Sequence, residues 1–177
     1  EQLLTMAYEE FNWRDISPTI FGAVFESTLN PETRRSGGMH YTSIENIHKV
    51  IDPLFLDELQ EEFETIQAYK TLNVKRKKLM DFQEKLAHLK FLDPACGSGN
   101  FLTETYLSLR RLENKVLRVL YGEGQGVLGV AASDIIKVSI QQFYGIEIND
   151  FAVTVAKTAL WIAESQMLDE TKNIIKL

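Results

Sequence analysis

Two segments of the sequence combine residue types that could bind a small ligand. The first is the decapeptide Asp-Pro-Ala-Cys-Gly-Ser-Gly-Asn-Phe-Leu at residues 93–102, which follows the apolar pair Phe91 and Leu92. Gly97 and Gly99 can adopt positive φ and leave the backbone open to a ligand. A helical pattern follows, and a helix N-terminus offers free N–H groups to a carboxylate or phosphate. The decapeptide is therefore a candidate ligand-binding turn between a strand and a helix.

The second segment is the β-rich run at residues 143–148, which predicts a buried strand with Glu147 near its C-terminal end. Ligands of open α/β sheets bind at that end of the strands, where a carboxylate can accept hydrogen bonds from both hydroxyls of a ribose. A surface or helix-capping carboxylate is the simpler alternative for Glu147. Asn149 and Asp150 are N-cap candidates for the next helix. The repeating apolar face of that helix comprises Ala152, Val153, Ala156, Leu160, Ala163 and Met167.

An earlier glycine pair opens the run Gly-Gly-Met-His-Tyr-Thr-Ser at residues 37–43. Thr42 and Glu45 have the spacing of a capping box for a short helix that ends near Ile51. A glycine turn before a capped helix is a place where the backbone can meet an anionic group. The alternative is a well-capped helix start with no ligand.

These motifs together resemble amino-methyltransferases that act on DNA. The decapeptide is similar to their first S-adenosylmethionine motif, and a Gly-Tyr-Thr segment that precedes it resembles the gamma arrangement of adenine-N6 DNA methyltransferases. A dinucleotide site is a poorer match, because Leu102 stands where the third glycine of G-x-G-x-x-G is needed. The resemblance implies an α/β, Rossmann-like fold of the S-adenosylmethionine-dependent methyltransferases, with S-adenosylmethionine as cofactor.

The resemblance also implies which residues hold that cofactor. Asp93 would orient the methionine amine, and the backbone of residues 95–101 would line the methionine end. Glu147 would bind the ribose, and Ile148 would pack against the adenine. The complete set of implied cofactor-binding residues is Tyr41, Thr42, Asp93, Ala95, Gly97, Gly99, Asn100, Phe101, Glu147 and Ile148.

The histidines and the cysteine predict no metal site. His40, His48 and His88 have no second ligand at metal-binding spacing, so we expect each to form local hydrogen bonds. Cys96 is the only cysteine, and we expect a small buried side chain rather than an activated thiol. A single cysteine permits no internal disulfide, which fits a cytoplasmic protein.

Composition and charge exclude some classes of protein. A net charge of −6 argues against a stand-alone DNA-binding domain, because phosphate neutralisation dominates the affinity of such domains. The basic run at residues 75–78 is predicted to be the solvated face of a helix. The sequence has no apolar run of the roughly 20 residues that span a bilayer and no secretion signal, so we expect no membrane association.

The pattern along the chain predicts two regions, at residues 1–89 and 90–177. The first is helical, with helices starting at Ser17-Pro18 and at Asp52-Pro53 and another running to about Leu89, and it includes the Gly-Gly-x-x-Tyr-Thr segment. The second is the first half of the cofactor-binding domain. In it we expect strands near 90–93 and 142–147, a loop with a short helix at 121–140, and a third strand starting at 173–177. Two strands cannot complete a stable sheet, so the fold is expected to be truncated.

The resemblance places the catalytic Asn/Asp-Pro-Pro-Tyr/Phe tetrapeptide of the family after a later strand. The prolines here are Pro18, Pro31, Pro53 and Pro94, so no catalytic residue is assigned. The resemblance implies the cofactor-binding part of a site-specific adenine-N6 DNA methyltransferase from a type I or fused type II restriction–modification enzyme. Double-stranded DNA would bind through regions outside this chain, and a specificity or nuclease domain or subunit would be a partner. The alternatives are a methyltransferase that acts on RNA, protein or a small molecule, and a non-catalytic assembly module.

Overall fold

The structure is a computed structural model that describes residues 17–20, 24, 42–121 and 132–175. Helices dominate the part before the first strand: α1 (Ile44–Ile51), a π-helical turn (Asp52–Leu56), α2 (Asp57–Gln67) and α3 (Leu72–His88). The second part comprises β1 (Phe91–Asp93), α4 (Asn100–Tyr121), α5 (Ala132–Ile135), a 3-10 turn (Ile140–Gln142), β2 (Phe143–Gly145) and α6 (Asp150–Ile175).

The first helix ends at Ile51 as predicted, but its N-cap differs from the prediction. Its N-cap is Ser43, whose hydroxyl accepts a hydrogen bond from the backbone of Asn46 at 3.4 Å, so the predicted capping box of Thr42 and Glu45 is wrong. No new helix starts at Asp52-Pro53 either, because α1 continues through the π-helical turn into α2. Proline lacks the N–H that an α-helical turn needs. The wider turn accommodates this residue, and the backbone N–H of Asp57 donates to the carbonyl of Asp52.

Helices α2 and α3 each bury one apolar face. Helix α2 buries Leu59, Phe63 and Ile66, and α3 buries Leu79, Phe82 and Leu86. These residues recur every three or four positions, so each helix turns one stripe toward the common core. Further upstream, Ile20 and Val24 are helical, in agreement with a helix that starts at Ser17-Pro18.

Both predicted strands form, and they pair in parallel. The second is shorter and less buried than predicted, because β2 ends at Gly145, two residues before Glu147, and only its Phe143 is buried. Phe91 lies opposite Phe143 and Asp93 opposite Gly145, so the carboxyl ends of the strands coincide. The rings of Phe91 and Phe143 stack with their centroids 5.2 Å apart. Tyr106 of α4 meets the edge of Phe143 at 5.6 Å. These aromatic contacts fix the small sheet against α4.

A buried polar network joins α4 to its neighbours. Glu113 is fully buried and pairs with Arg110, and it also accepts hydrogen bonds from the Gln83 side chain and the Lys137 backbone, both at 2.7 Å. Arg110 donates in turn to Thr171 of α6 at 2.8 Å. Buried charges are tolerated when they are paired and hydrogen-bonded in this way. The network therefore fixes α3, α6 and the segment that returns to β2 around α4.

The predicted third strand does not form. Residues 173–175 continue α6, and residues 176–177 lie outside the described residues. Thr171 is buried and its hydroxyl donates to Asn114 of α4 at 2.7 Å, which keeps the end of the helix packed. In the predicted loop at 121–140, the expected short helix is α5. Residues 122–131 lie outside the described residues.

Candidate functional site

The glycine loop at residues 94–99 is bonded to the end of β2. The backbone N–H of Ile146 donates to the carbonyl of Asp93 at 2.9 Å, and the N–H of Cys96 donates to the carbonyl of Ile146 at 3.1 Å. These two bonds extend the parallel ladder past the strands. The loop and the residues that follow β2 therefore lie side by side at the carboxyl edge of the sheet, as the sequence predicts.

Two glycines give the loop its shape for different reasons. Gly97 has φ +53° and Gly99 has φ +79°, a region that strains residues with a side chain. A Cβ on Gly97 would meet no atom within 4 Å, whereas a Cβ on Gly99 would lie 2.7 Å from the Cβ of Ala156. Gly97 is thus required by its backbone conformation alone. Gly99 also allows the loop to lie directly against α6.

Glu147 fastens the same loop through its side chain. One carboxylate oxygen accepts the backbone N–H of Gly97 at 3.0 Å, and the other accepts the N–H of Asn149 at 2.8 Å. A carboxylate has about four acceptor positions, so about two remain for other donors. The sequence predicted Glu147 at this edge of the sheet but did not predict its bond to the loop.

Asp93 is the last residue of β1 and directly precedes the loop. Its carboxylate accepts the backbone N–H of Ala95 at 3.0 Å, which forms an Asx turn. Ala95 itself is exposed and Asp93 is half-buried. The structure therefore brings Asp93 and Glu147 to one edge of the sheet, where each carboxylate bonds the backbone of the glycine loop.

The other predicted site residues surround this edge. Asn100 is the first residue of α4 and only 6% exposed, and its side-chain oxygen has no hydrogen-bond partner among the described residues. Ile148 is 94% exposed, so its whole side chain is open to a ligand. Thr42 is half-buried and lies just before the N-cap of α1. Tyr41 lies outside the described residues.

A cavity of about 250 Å³ lies between α1, the π-helical turn and the start of α4. Asp93 and Phe101 line it together with Val50 and Leu54. Except for Asp93 and Thr105, its lining is apolar. It therefore places two predicted site residues against the helix that follows Thr42.

Cys96 is part of the packing of the loop. Burial raises the pKa of its thiol, and the nearby carboxylates of Asp93 and Glu147 raise that pKa further. A Cβ on Gly145 would lie 2.6 Å from the sulfur, so this glycine allows Cys96 to sit against β2. Sequence reasoning missed Gly145, although a glycine inside a strand signals a close approach of this kind.

The structure also tests the predicted N-cap of α6 and the predicted local bonding of His48 and His88. The side-chain oxygen of Asn149 accepts the N–H groups of Phe151 and Ala152 at 3.0 and 3.1 Å, which confirms Asn149 as the N-cap of α6. His88 bonds locally to the carbonyl of Glu84 at 2.7 Å, as predicted. His48 differs, because it also reaches a residue 56 positions away in α4.

The described residues contain neither a metal-binding cluster nor a helix that could cross a membrane. Within ranges 17–20, 42–121 and 132–175 and at residue 24, no cluster of three or more histidine, cysteine, aspartate or glutamate side chains could hold a metal ion. None of the helices in the described part of the chain has both the length and the apolar character that crossing a membrane requires.

The chain is similar in sequence to proteins named as methyltransferases. The chain is 46% identical over 172 residues to DNA methyltransferase A of Bacillus subtilis, which covers 97% of this chain and 18% of that protein. It is 27% identical over 182 residues to the putative type II restriction enzyme and methyltransferase RM.MjaORFECS2P of Methanocaldococcus jannaschii, across 88% of this chain and 14% of that protein.

The chain is also similar to a solved structure. The type IIL restriction–modification enzyme MmeI, determined in complex with DNA, superposes with a TM-score of 0.80 at 45% identity, covering 92% of this chain and 21% of that one. The chain thus spans about a fifth or less of the length of these proteins. The family described as "MmeI, DNA-methyltransferase domain" matches residues 69–176. The chain belongs to this family of DNA-methyltransferase domains.

Proposed function

We propose that this chain is the cofactor-binding part of a site-specific DNA methyltransferase in a restriction–modification system, and that it binds S-adenosylmethionine at the glycine loop. The observation that carries the proposal is the bond from Gly97 to Glu147 at 3.0 Å, which sets an acidic side chain beside an open loop. The family and the names of its relatives support DNA as the substrate of the whole protein.

The finer features of the fold belong to the same proposal. The parallel pair of strands, with α4 and α6 following them, is the arrangement expected for the first half of a Rossmann-like sheet. We assign residues 90–177 to that half and residues 1–89 to a helical region in front of it. The break falls between the end of α3 and the start of β1.

The residues present fit the proposed cofactor. Gly97 leaves open space beside the loop, and Glu147 retains about two acceptor positions suited to ribose hydroxyls. Asp93 offers a negative charge near the loop, which suits the ammonium group of a methionine. Ile148 is exposed and apolar, as a residue that covers an adenine ring should be. Tyr41 and Thr42 are proposed to cover the methionine end.

The proposed role of this chain in the reaction is to bind and orient the cofactor. S-adenosylmethionine, when bound, supplies an activated methyl group. Asp93 at the end of β1 and Glu147 just after β2 would hold the ammonium group and the ribose of that molecule, which fixes its direction across the loop. Because the loop is already bonded to both strand ends, little ordering would be needed on binding. Adenine N6 is the proposed target, from the Gly-Tyr-Thr segment that precedes the decapeptide.

Calorimetric titration of S-adenosylmethionine into the full-length protein tests the site. Asp93→Asn keeps an oxygen that can accept the Ala95 N–H but removes the charge, so its expected loss of affinity reports the ammonium contact alone. Glu147→Ala should weaken binding by roughly tenfold to a hundredfold, since hydrogen bonds to a charged group are involved. Glu58→Ala, an exposed glutamate on α2, is the matched control and should bind normally. Normal affinity in both site variants would overturn the proposed site.

The substrate requires a separate measurement. The full-length protein is incubated with duplex DNA and labelled cofactor, and the digested nucleosides are identified by mass spectrometry. N6-methyladenine is expected. Methylated cytosine would refute the adenine assignment, and label in RNA or protein but not in DNA would refute the assignment to DNA. Saturable cofactor binding without any methyl transfer would instead favour an assembly module.

A further inference from the structure

His48 on α1 lies between two carboxylates. Its Nδ1 is 2.7 Å from an oxygen of Asp52, and its Nε2 is 3.2 Å from an oxygen of Glu104. An ionised carboxylate can only accept hydrogen bonds, so each ring nitrogen must carry a hydrogen to bond both partners. A neutral imidazole has a hydrogen on one nitrogen only. With both carboxylates ionised, both hydrogen bonds form together only when His48 is an imidazolium.

The second of these partners is buried. The side chain of Glu104 is 3% exposed, and its carboxylate also lies 3.3 Å from the guanidinium of Arg111. A buried carboxylate that loses one of its cations becomes costly to keep charged. The charged groups that face His48 within the described residues are thus Asp52 from its own helical segment, and Glu104 from α4 with Arg111 behind it.

The contact between His48 and Glu104 lies near the N-termini of α1 and α4, next to which predicted site residues lie. Helix α1 begins at Ile44, four positions before His48, and α4 begins at Asn100, four positions before Glu104. Four residues of helix span about 6 Å. The contact from His48 to Glu104 therefore joins α1, which follows Thr42, to α4, which follows the glycine loop.

We infer that protonated His48 is a positioning residue of the cofactor site, which holds the start of α1 against the glycine-loop helix and makes cofactor affinity depend on pH. The inference rests on the proposed S-adenosylmethionine site. It adds a residue that touches neither the glycine loop nor Glu147, and that acts through the distance between α1 and α4.

The direction of the pH effect follows from the contacts. The hydrogen bond to Asp52 raises the pKa of His48, burial opposes this, and Glu104 raises the pKa further. A histidine with a raised pKa holds its partners at low pH and loses them as the pH rises through that pKa. The bond to Asp52 is the shorter one, so the remaining hydrogen stays there and the contact with Glu104 is lost. Cofactor affinity should accordingly fall as the pH rises.

The test titrates S-adenosylhomocysteine into the full-length protein from about pH 6 to about pH 9, a range that brackets histidine ionisation. Wild-type affinity should fall about fivefold more than that of His48→Gln across the range, at the lower end of typical coupling between sites. Ionisation of the ligand amine affects every variant alike and cancels in this comparison. His88→Gln is the matched control, since His88 bonds only locally, and should follow the wild type.

Two outcomes separate the inference from the proposed function. If the wild type and His48→Gln bind with parallel pH profiles while Glu147→Ala binds weakly, the inference is wrong and the cofactor site stands. If the wild type does not bind at any pH, the proposed function fails as well. Should His48→Gln fail to fold, Glu104→Gln replaces it: an amide can donate to the neutral ring, so the fall in affinity with rising pH should become smaller, and a fall equal to that of the wild type would overturn the inference.

Discussion

Alanine substitutions at the two loop glycines should differ in cost although they are only two residues apart. Both glycines have positive φ, +53° at Gly97 and +79° at Gly99. An alanine at either position pays about 1–2 kcal/mol for the left-handed conformation. Only at Gly99 does the new methyl group meet a neighbour, the Cβ of Ala156 at 2.7 Å and its Cα at 3.0 Å.

The size of the difference follows from that contact. Forcing a methyl group into a close-packed contact costs about 1–3 kcal/mol, which adds to the conformational term. Gly99→Ala should thus destabilise the loop by about 2 kcal/mol more than Gly97→Ala, roughly thirtyfold in an opening equilibrium. Amide hydrogen exchange of the start of α4 in the full-length protein measures this, because it reports local opening within an intact molecule.

A second substitution tests the cause. Ala156→Gly removes the Cβ that the new methyl group would strike, at a cost of about 1 kcal/mol for a glycine inside a helix. The double variant Gly99→Ala with Ala156→Gly should then lose less stability than the sum of the two single variants. Equal exchange in Gly97→Ala and Gly99→Ala, or strict additivity in the double variant, would refute the packing argument.

Two further predictions concern the buried network and the cysteine. Glu113→Ala leaves Arg110 buried without its carboxylate and should destabilise the protein by about 3–5 kcal/mol, measured by thermal unfolding against the exposed control Glu58→Ala; equal melting temperatures would contradict it. Burial and the neighbouring carboxylates raise the pKa of the Cys96 thiol, so its alkylation by iodoacetamide at neutral pH should be slower than that of free cysteine. A peptide mass assay measures this rate, and labelling faster than that of free cysteine would disprove an inert thiol.

Features encoded by local patterns could be predicted from the sequence. The strand–turn–helix around Gly97 and the N-cap at Asn149 each depend on residues within a few positions. The second strand could be predicted for the same reason, from the β-rich pattern that begins at Phe143, although the strand ends at Gly145. The placement of Glu147 near the loop followed from a general rule, because carboxyl ends of parallel strands share an edge.

The prediction of a third strand starting at residues 173–177 was wrong because it depended on a local sequence pattern alone. Isoleucine pairs favour strands, but such preferences are weak when packing favours another conformation. Here Thr171 is buried and bonded to Asn114 and Arg110 of α4. This contact holds the preceding turn of α6 in helical form, and the helix continues to Ile175.

Contacts between distant residues had little signal in a single sequence. His48 was expected to bond locally, and its bond to Asp52 is local, but Glu104 lies 56 positions away. The close approach of Cys96 to Gly145 had a partial signal, since a glycine inside a strand indicates a close neighbour but not which residue that neighbour is. Such pairs become visible only when the strands and helices are placed, since no spacing rule connects their positions.

The bonds of Glu147 show how one side chain can shape the loop and still have the acceptor positions that the proposed cofactor site needs. Its two oxygens accept N–H groups from Gly97 on the loop and Asn149 before α6, which fixes the plane of the carboxylate. The acceptor positions that remain are therefore fixed in direction before any ligand arrives. A glutamine would keep one accepting oxygen but place an amide group against one of the two N–H donors. Glu147→Gln should consequently disturb the loop more than its similar size suggests, and amide exchange at Gly97 close to that of the wild type would show that the loop is held by its backbone bonds alone.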